Sequence, residues 1–258
     1  MTTDLVALPY AGAAGTAYRP WGEMLQPDLN LHALTLPGHG PRMAEPALTT
    51  IDTVVDDVLT QLALLGVGDD YVLFGHSMGA LVAYETARRL DPSAAVGHDA
   101  AGDLSMPRAL VVSGLDAPVD ACATQAPAAG PERHELPDDE LVALLREYDG
   151  TPPELLERDV LKFFLPTLRA DLGVVDTYRH RSGAPLQVPV VCYRGMDDPR
   201  MSHQGAVGWE QLTTGEFRLR TFDGDHFYLH DRTPVCFVLR ADAAWATRET
   251  GLVSVVPG

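Results

Sequence analysis

Basic residues are in short supply in this sequence: 19 Lys and Arg stand against 36 Asp and Glu, a formal net charge of −17. A surface of that sign repels nucleic acid and anionic lipid, so neither is expected as a partner. An acidic protein partner stays open, because salt screens charges more than about 8 to 10 Å apart and contacts are local. Arg88-Arg89 and Arg179-His180-Arg181 are the obvious positive spots, read first as solvated helix ends. Cysteine is scarce as well. Cys122, Cys192 and Cys236 are odd in number and widely spaced, which excludes a disulfide framework and a metal-ligand pattern and points to a reducing, cytoplasmic setting. No basic segment followed by an apolar stretch opens the sequence, so no secretory signal is expected. Nor does any run approach the roughly 20 apolar residues that cross a bilayer.

Apolar residues, by contrast, make up 46% of the 258 positions, enough for the core of one large domain. Short β-type runs at 5–9, 31–37, 71–75, 109–114, 188–195 and 217–224 alternate with helical patterns, notably 51–65, 78–90, 202–212 and 233–247. Ala80, Ala83, Ala87 and Leu90 recur at helical spacing and make one packing face. This rhythm predicts an α/β fold, with a mostly parallel central sheet flanked by helices. Between Pro137 and Tyr178 the pattern is helical without strands, with Asp138 or Asp139 as a cap and Gly150 then Pro152-Pro153 as a stop. The expected organisation is a single domain over 1–258, with a core at 1–115 and 187–258 and a helical insertion at 116–186. The stretch 95–107 reads as a surface loop.

The stretch "YVLFGHSMGALVAYE", residues 71–85, carries the strongest chemical signal. A strand stops at Gly75-His76-Ser77-Met78-Gly79 and a helix starts at once. In a G-x-S-x-G elbow the serine backbone is strained and bulky neighbours two positions away would collide, hence Gly75 and Gly79. The turn lifts Ser77 Oγ clear of the sheet and aims the Met78 N–H at the place where an oxyanion would form. A hydroxyl needs an adjacent base, and for this arrangement the order is Ser…Asp…His. His226, in "TFDGDHFYLH" after the last strand, suits that base. His230 is expected to pack or cap a following helix, His76 to pack in the sheet and His39 to serve a loop. A metal held by His226 and His230 lacks a third ligand nearby, so no metal is expected. For the orienting acid, "RGMDDP" offers Asp197 and Asp198, of which Asp198 is favoured because it fits G-x-x-D ahead of a stiffening Pro199. The second oxyanion donor falls to the N–H of Tyr10 or Ala11 in "LPYAGAAGTAY", a loop that lacks the Gly-Lys-Ser/Thr of a phosphate cradle.

Taken together, "LPYAGAAGTAY", "LPGHGPR", "FGHSMGA", "VVSGLDAP", "GTPPELL…FLPTLRADLGVVDTY", "RGMDDP" and "FDGDHFYL" resemble the external, stand-alone type II thioesterases of polyketide and non-ribosomal peptide synthases. The resemblance covers nearly the whole chain, and "GTPPELL" and "LPTLRAD" are its most specific part. The family more often has His where Tyr10 stands and Arg where His39 stands, departures that touch the pocket without removing the three reactive residues. The resemblance implies an α/β-hydrolase fold and hydrolysis of acyl groups from the phosphopantetheine arm of an acyl- or peptidyl-carrier protein. It implies Ser77 as nucleophile, His226 as base and then acid, and Asp198 as orienting acid. The oxyanion hole would come from Met78 with Tyr10 or Ala11. The helical insertion becomes a lid over an acyl pocket, with Phe163, Phe164 and Leu168 as candidate lining residues. No cofactor is implied, and a monomer is expected. The competing readings are an esterase or lipase for free esters, a macrocyclising release enzyme, and a catalytically silent binding protein of the same fold.

Overall fold

The structure is a computed structural model that describes residues 2–92, 104–119, 132–147 and 158–249. Six strands form one sheet: β1 (Thr3–Leu8), β2 (Leu29–Ala33), β3 (Tyr71–His76), β4 (Ala109–Ser113), β5 (Val190–Gly195) and β6 (Phe217–Phe222). Their spatial order is β2-β1-β3-β4-β5-β6, and every pairing is parallel. Seven helices accompany them among the described residues: α1 (Gly22–Leu25), α2 (Ile51–Leu65), α3 (Met78–Leu90), α4 (Asp138–Glu147), α5 (Arg158–Asp176), α6 (His203–Gly208) and α7 (Arg232–Glu249).

The central strands β1, β3, β4 and β5 are almost wholly apolar because both faces are buried, whereas the edge strands β2 and β6 carry Asn30, His32, Arg218 and Arg220 at exposed or partly exposed positions. Side chains alternate across a strand, and the alternation sorts cleanly. Val6, Leu8, Leu73, Leu110, Val112, Val190 and Cys192 join a core with Val54, Val55, Val58, Leu59 and Leu62 of α2 and the small face of α3. Leu5, Ala7, Val72, Phe74, Val111, Val191 and Tyr193 point the other way, toward Trp21, Leu25 and the α7 residues Val235, Leu239 and Ala243. Cys192 and Cys236 therefore lie on opposite faces of the sheet, each buried and unpaired. Cys122 is outside the described residues. No described helix is long and apolar enough to cross a membrane.

Several expectations shift. The second strand ends at Ala33, short of the apolar run to 37: Leu34 N–H still donates to the Ala7 carbonyl at 2.9 Å, the chain then leaves the sheet, and Leu34 and Leu36 are buried in the α2-side core. The helical pattern at 202–212 is α6 followed by a 3₁₀ turn at Trp209–Leu212. Asp138 and Asp139 lie within the first turn of α4, not ahead of it as caps, and Asp138 pairs with Arg169 of α5 at 2.5 Å. Their charge there still suits the positive end of the helix. The expected stop at Gly150 and Pro152-Pro153, the "GTPPELL" segment and most of the 95–107 loop lie outside the described residues.

The arginine clusters are structural staples. Arg88 pairs with Glu85 and donates to the Arg181 carbonyl, while Arg89 bridges to Asp52 and Asp56 and Arg181 to Asp52. Arg179 donates to the Asp176 carbonyl at the end of α5. Helices α4 and α5 pack on each other through Leu141, Leu145, Leu165, Leu168 and Leu172, a small core of their own. They intervene in sequence between β4 and β5 and stand over the carboxyl ends of the strands, where open parallel sheets place their ligands.

Candidate active site

β3 runs directly into α3 through Ser77, whose φ of 53° makes it the one non-glycine residue with a left-handed backbone among the described residues. Such a conformation costs on the order of 1 to 3 kcal/mol and persists only where the surroundings fix it. Here they do. The Ser77 N–H donates to the Ser113 carbonyl at the end of β4 (2.8 Å) and the Ser77 carbonyl accepts from Ala80 (2.9 Å). The flanking glycines are steric necessities: a Cβ on Gly75 would lie 1.9 Å from the Gly79 carbonyl oxygen, and one on Gly79 would lie 2.4 Å from that of Leu8. Met78 opens α3, so its N–H belongs to the first-turn amides without an intrahelical acceptor.

The ends of β5 and β6 are zipped together beyond the sheet. Met196 N–H donates to the Phe222 carbonyl (2.8 Å) and Asp197 N–H to that of Gly224 (3.0 Å). This brings Asp198 Oδ2 to 2.8 Å from His226 Nδ1, both residues buried. Asp198 Oδ1 accepts the Arg200 N–H at 2.9 Å, so both carboxylate oxygens are occupied. Asp197 is exposed and faces away. With Nδ1–H given to the carboxylate, His226 Nε2 is left as the basic nitrogen.

Behind His226 stands His76, fully buried, with ring centroids 4.8 Å apart. Burial, reinforced by the nearby His226, holds the His76 pKa well below the usual imidazole range, so this ring is neutral. Its Nδ1 meets Ser113 Oγ at 2.8 Å, and that oxygen meets Tyr228 Oη at 2.5 Å. His230 stacks on Phe227 with centroids 5.3 Å apart. Phe227 also meets the His226 ring edge-on, with centroids 5.1 Å apart. Elsewhere, Glu132, His134 and Asp176 bring three possible metal ligands together, but Arg133 already bridges Asp176.

Ser77 and His226 open onto one cavity of about 780 Å³. Tyr10, Ala11 and Gly12 line one side, and Phe163, Phe164 and Leu168 of α5 line another. Leu168 is buried, whereas Phe163 is 75% exposed and forms the rim. In the loop after β1, Gly12 N–H donates to Asp171 and Ala13 N–H to the Tyr10 carbonyl. Those two amides are committed, which leaves Tyr10 and Ala11 as the two candidates in this loop for the second oxyanion donor. No Asp or Glu lines the cavity among the described residues, while Arg200 and Arg232 do. Burial, with Arg133 nearby, pushes the Arg200 guanidinium down to about 9.

A strained serine between a strand and a helix, a buried carboxylate–imidazole pair and an acyl-sized cavity suit nucleophilic acyl transfer. Comparison with known proteins agrees: residues 3–241 match the family described as the thioesterase domain. The chain belongs to the thioesterase domain family. This thioesterase is 34% identical over 231 residues to thioesterase PikA5 of Streptomyces venezuelae, covering 88% of this chain and 76% of that protein. The gramicidin S biosynthesis protein GrsT of Aneurinibacillus migulanus is 31% identical over 228 residues, covering 88% of this chain and 83% of GrsT. Among solved structures, the type II thioesterase BorB from the borrelidin biosynthetic cluster superposes with a TM-score of 0.79 at 35% identity, covering 94% of this chain and 93% of BorB. The fold is the α/β-hydrolase fold and the protein is a hydrolase.

Sequence reasoning missed two participants. Asp171 sits in "LPTLRAD", which the resemblance marked as specific without singling out the residue. His39, assigned only a loop role, lines the cavity and pairs with Asp171 at 2.8 Å.

Proposed function

We propose that this thioesterase hydrolyses acyl groups held on the phosphopantetheine arm of an acyl- or peptidyl-carrier protein, clearing stalled units in polyketide or non-ribosomal peptide synthesis. The observation that carries the reading is the junction of the elbow serine and the buried His226–Asp198 pair at a single cavity walled by Leu141, Leu145, Phe164, Leu168 and Leu172. The names of relatives support the setting: GrsT is a gramicidin S biosynthesis protein and BorB a type II thioesterase of a biosynthetic cluster.

Ser77 Oγ attacks the thioester carbonyl carbon while His226 Nε2 takes the hydroxyl proton. The resulting oxyanion accepts from the Met78 N–H and from the N–H of Tyr10 or Ala11, and losing one such donor costs about 10²- to 10³-fold in rate. The carbon–sulfur bond then breaks, and the His226 imidazolium returns the proton to the departing thiolate. A thiol of pKa about 8.5 leaves more readily than an alcohol. Water, deprotonated by His226, attacks the acyl-serine and releases the carboxylic acid and the free serine. Asp198 keeps the imidazole oriented and stabilises its charged form. The core at 1–115 and 187–258 carries this machinery, and the insertion at 116–186 acts as the lid. Phe164 and Leu168 contact the acyl chain, and Phe163 contacts the arm at the rim. The protein acts as a monomer in the cytoplasm.

The test compares kcat/KM for an acyl group on a carrier protein with the same acyl group as a free oxygen ester. The reading predicts a clear preference for the carrier thioester. Equal or better use of the free ester would make the protein an ordinary esterase.

A further inference from the structure

The residues of α5 that face the reaction centre do more than wall a cavity. Phe164, Thr167, Leu168 and Asp171 lie at helical spacing on one side of this helix. Thr167 Oγ1 donates to the Gly38 carbonyl (3.3 Å) in the loop after β2. Phe164 and Leu168 sit so close to Gly12 that a Cβ there would be 2.9 Å and 3.3 Å from their atoms. Gly12 holds φ +78°, a conformation that disfavours any side chain.

Asp171 makes the tightest of these contacts. A single oxygen, Oδ2, accepts the Gly12 N–H at 2.7 Å and meets His39 Nε2 at 2.8 Å. The side chains of His39 and Asp171 are only 4% and 3% exposed. The other nitrogen of His39 lies 3.1 Å from the Pro37 carbonyl oxygen. Both ring nitrogens therefore face acceptors, and the ring satisfies both only by carrying both protons. The carboxylate of α5 thus forms a charge-assisted clamp on two loops at once. Gly12 directly follows Tyr10 and Ala11, the two candidates for the second oxyanion donor.

We propose that Asp171 is a positioning residue for the reaction: from α5 it fixes the 10–12 loop, so that the second oxyanion donor is set only while this helix is seated. The inference rests on the reading of Ser77 as an acyl-transfer nucleophile. It makes the lid and the oxyanion hole one mechanical unit. A donor displaced by a fraction of an ångström loses much of its bond to the developing oxyanion and little of its weak contact with the ground-state carbonyl, so the effect falls on kcat and leaves KM alone.

The experiment measures kcat and KM of wild type, Asp171→Asn and Asp171→Ala with an acyl-carrier thioester and with a 4-nitrophenyl ester. It adds the Ki of a trifluoromethyl ketone that forms a tetrahedral adduct with serine. The amide of Asp171→Asn keeps the shape but has no charge, and Asp171→Ala leaves the Gly12 N–H and His39 unmatched. The expected result is a graded fall in kcat, reaching about 10- to 100-fold in Asp171→Ala, with KM unchanged and the ketone Ki rising in parallel. Should Asp171→Ala fail to fold, Asp171→Asn decides alone, by the same split measured well below its own melting temperature. The proposal is overturned by wild-type kcat in the variant that folds, or by a loss shared between KM and melting temperature with the ketone Ki unmoved. Absence of thioester turnover in the wild type, with the nitrophenyl ester still cleaved, would overturn the carrier-protein reading and leave the Asp171 result legible on the ester.

Discussion

Asp198 and His226, 28 positions apart in sequence, meet at 2.8 Å because two neighbouring parallel strands end side by side and their loops are hydrogen-bonded together. The neighbouring carboxylate, Asp197, contributes its backbone N–H to that zip and leaves its side chain in solvent. Asp198→Asn should present an amide N–H to His226 Nδ1, force the proton onto Nε2 and remove the base. A loss on the order of 10³- to 10⁴-fold in kcat is expected. Asp197→Asn should stay within about twofold of wild type, as surface changes do. Steady-state cleavage of a 4-nitrophenyl ester separates the two, and the reverse ranking would move the acid to Asp197.

The elbow makes a stability prediction. A Cβ on Gly79 would press against the backbone carbonyls of Leu8 and Pro9, at 2.4 and 2.7 Å, which have no rotamer to escape into. Gly79→Ala should therefore destabilise by about 3 kcal/mol, the upper part of the range for overpacking. For a chain of this size that is a fall of about 6 to 12 °C in melting temperature, readable by calorimetry. A wild-type melting temperature would mean that α3 does not approach β1 this closely.

How legible these features were depends on how far each signal reaches along the chain. The central strands stood out because burial on both faces makes them apolar at every position, as in Leu5 to Leu8 and Tyr71 to Phe74. β2 was extended too far because Leu34 and Leu36 are buried by packing on α2, and hydropathy does not distinguish packing from pairing. Ser77 was legible because steric crowding writes its two glycines within five residues. His226 and Asp198 followed from strand ends. The clamp of Asp171 on His39 was not legible, since its partners are 132 positions apart and neither segment has a local pattern that announces the other.

That clamp also predicts a pH response. Burial alone would lower the His39 pKa, but the hydrogen bond and charge of Asp171 outweigh it and the pKa is raised. A histidine whose folded pKa exceeds its unfolded value of about 6.5 contributes its full stabilisation below that value, and the contribution fades as pH rises through the folded pKa. Urea unfolding between slightly acidic and alkaline pH should show stability falling on the alkaline side. His39→Gln should flatten that part of the profile, and an unchanged slope would mean that His39 is neutral in the folded protein.

The cavity wall predicts selectivity. Leu168 is buried and lines the cavity beside Gly12, whereas Phe163 stands at the rim. Leu168→Phe should reduce kcat/KM for long acyl chains by about 10-fold more than for acetyl, the scale of one to two methylenes in an apolar pocket. Phe163→Ala should lower turnover of carrier-bound substrate without changing the order of chain lengths. A panel of acyl groups loaded on one carrier protein reads both, and a chain-length order insensitive to Leu168 would place the acyl group elsewhere.

The central claim is that the acyl group passes through Ser77. The most direct measurement is intact-protein and peptide mass spectrometry of enzyme quenched during turnover of an acylated carrier protein. The account predicts a transient adduct of the acyl mass on the peptide carrying Ser77, decaying as free acid accumulates, and neither adduct nor turnover in Ser77→Ala. An adduct on a different residue, or undiminished release of acid by Ser77→Ala, would contradict it.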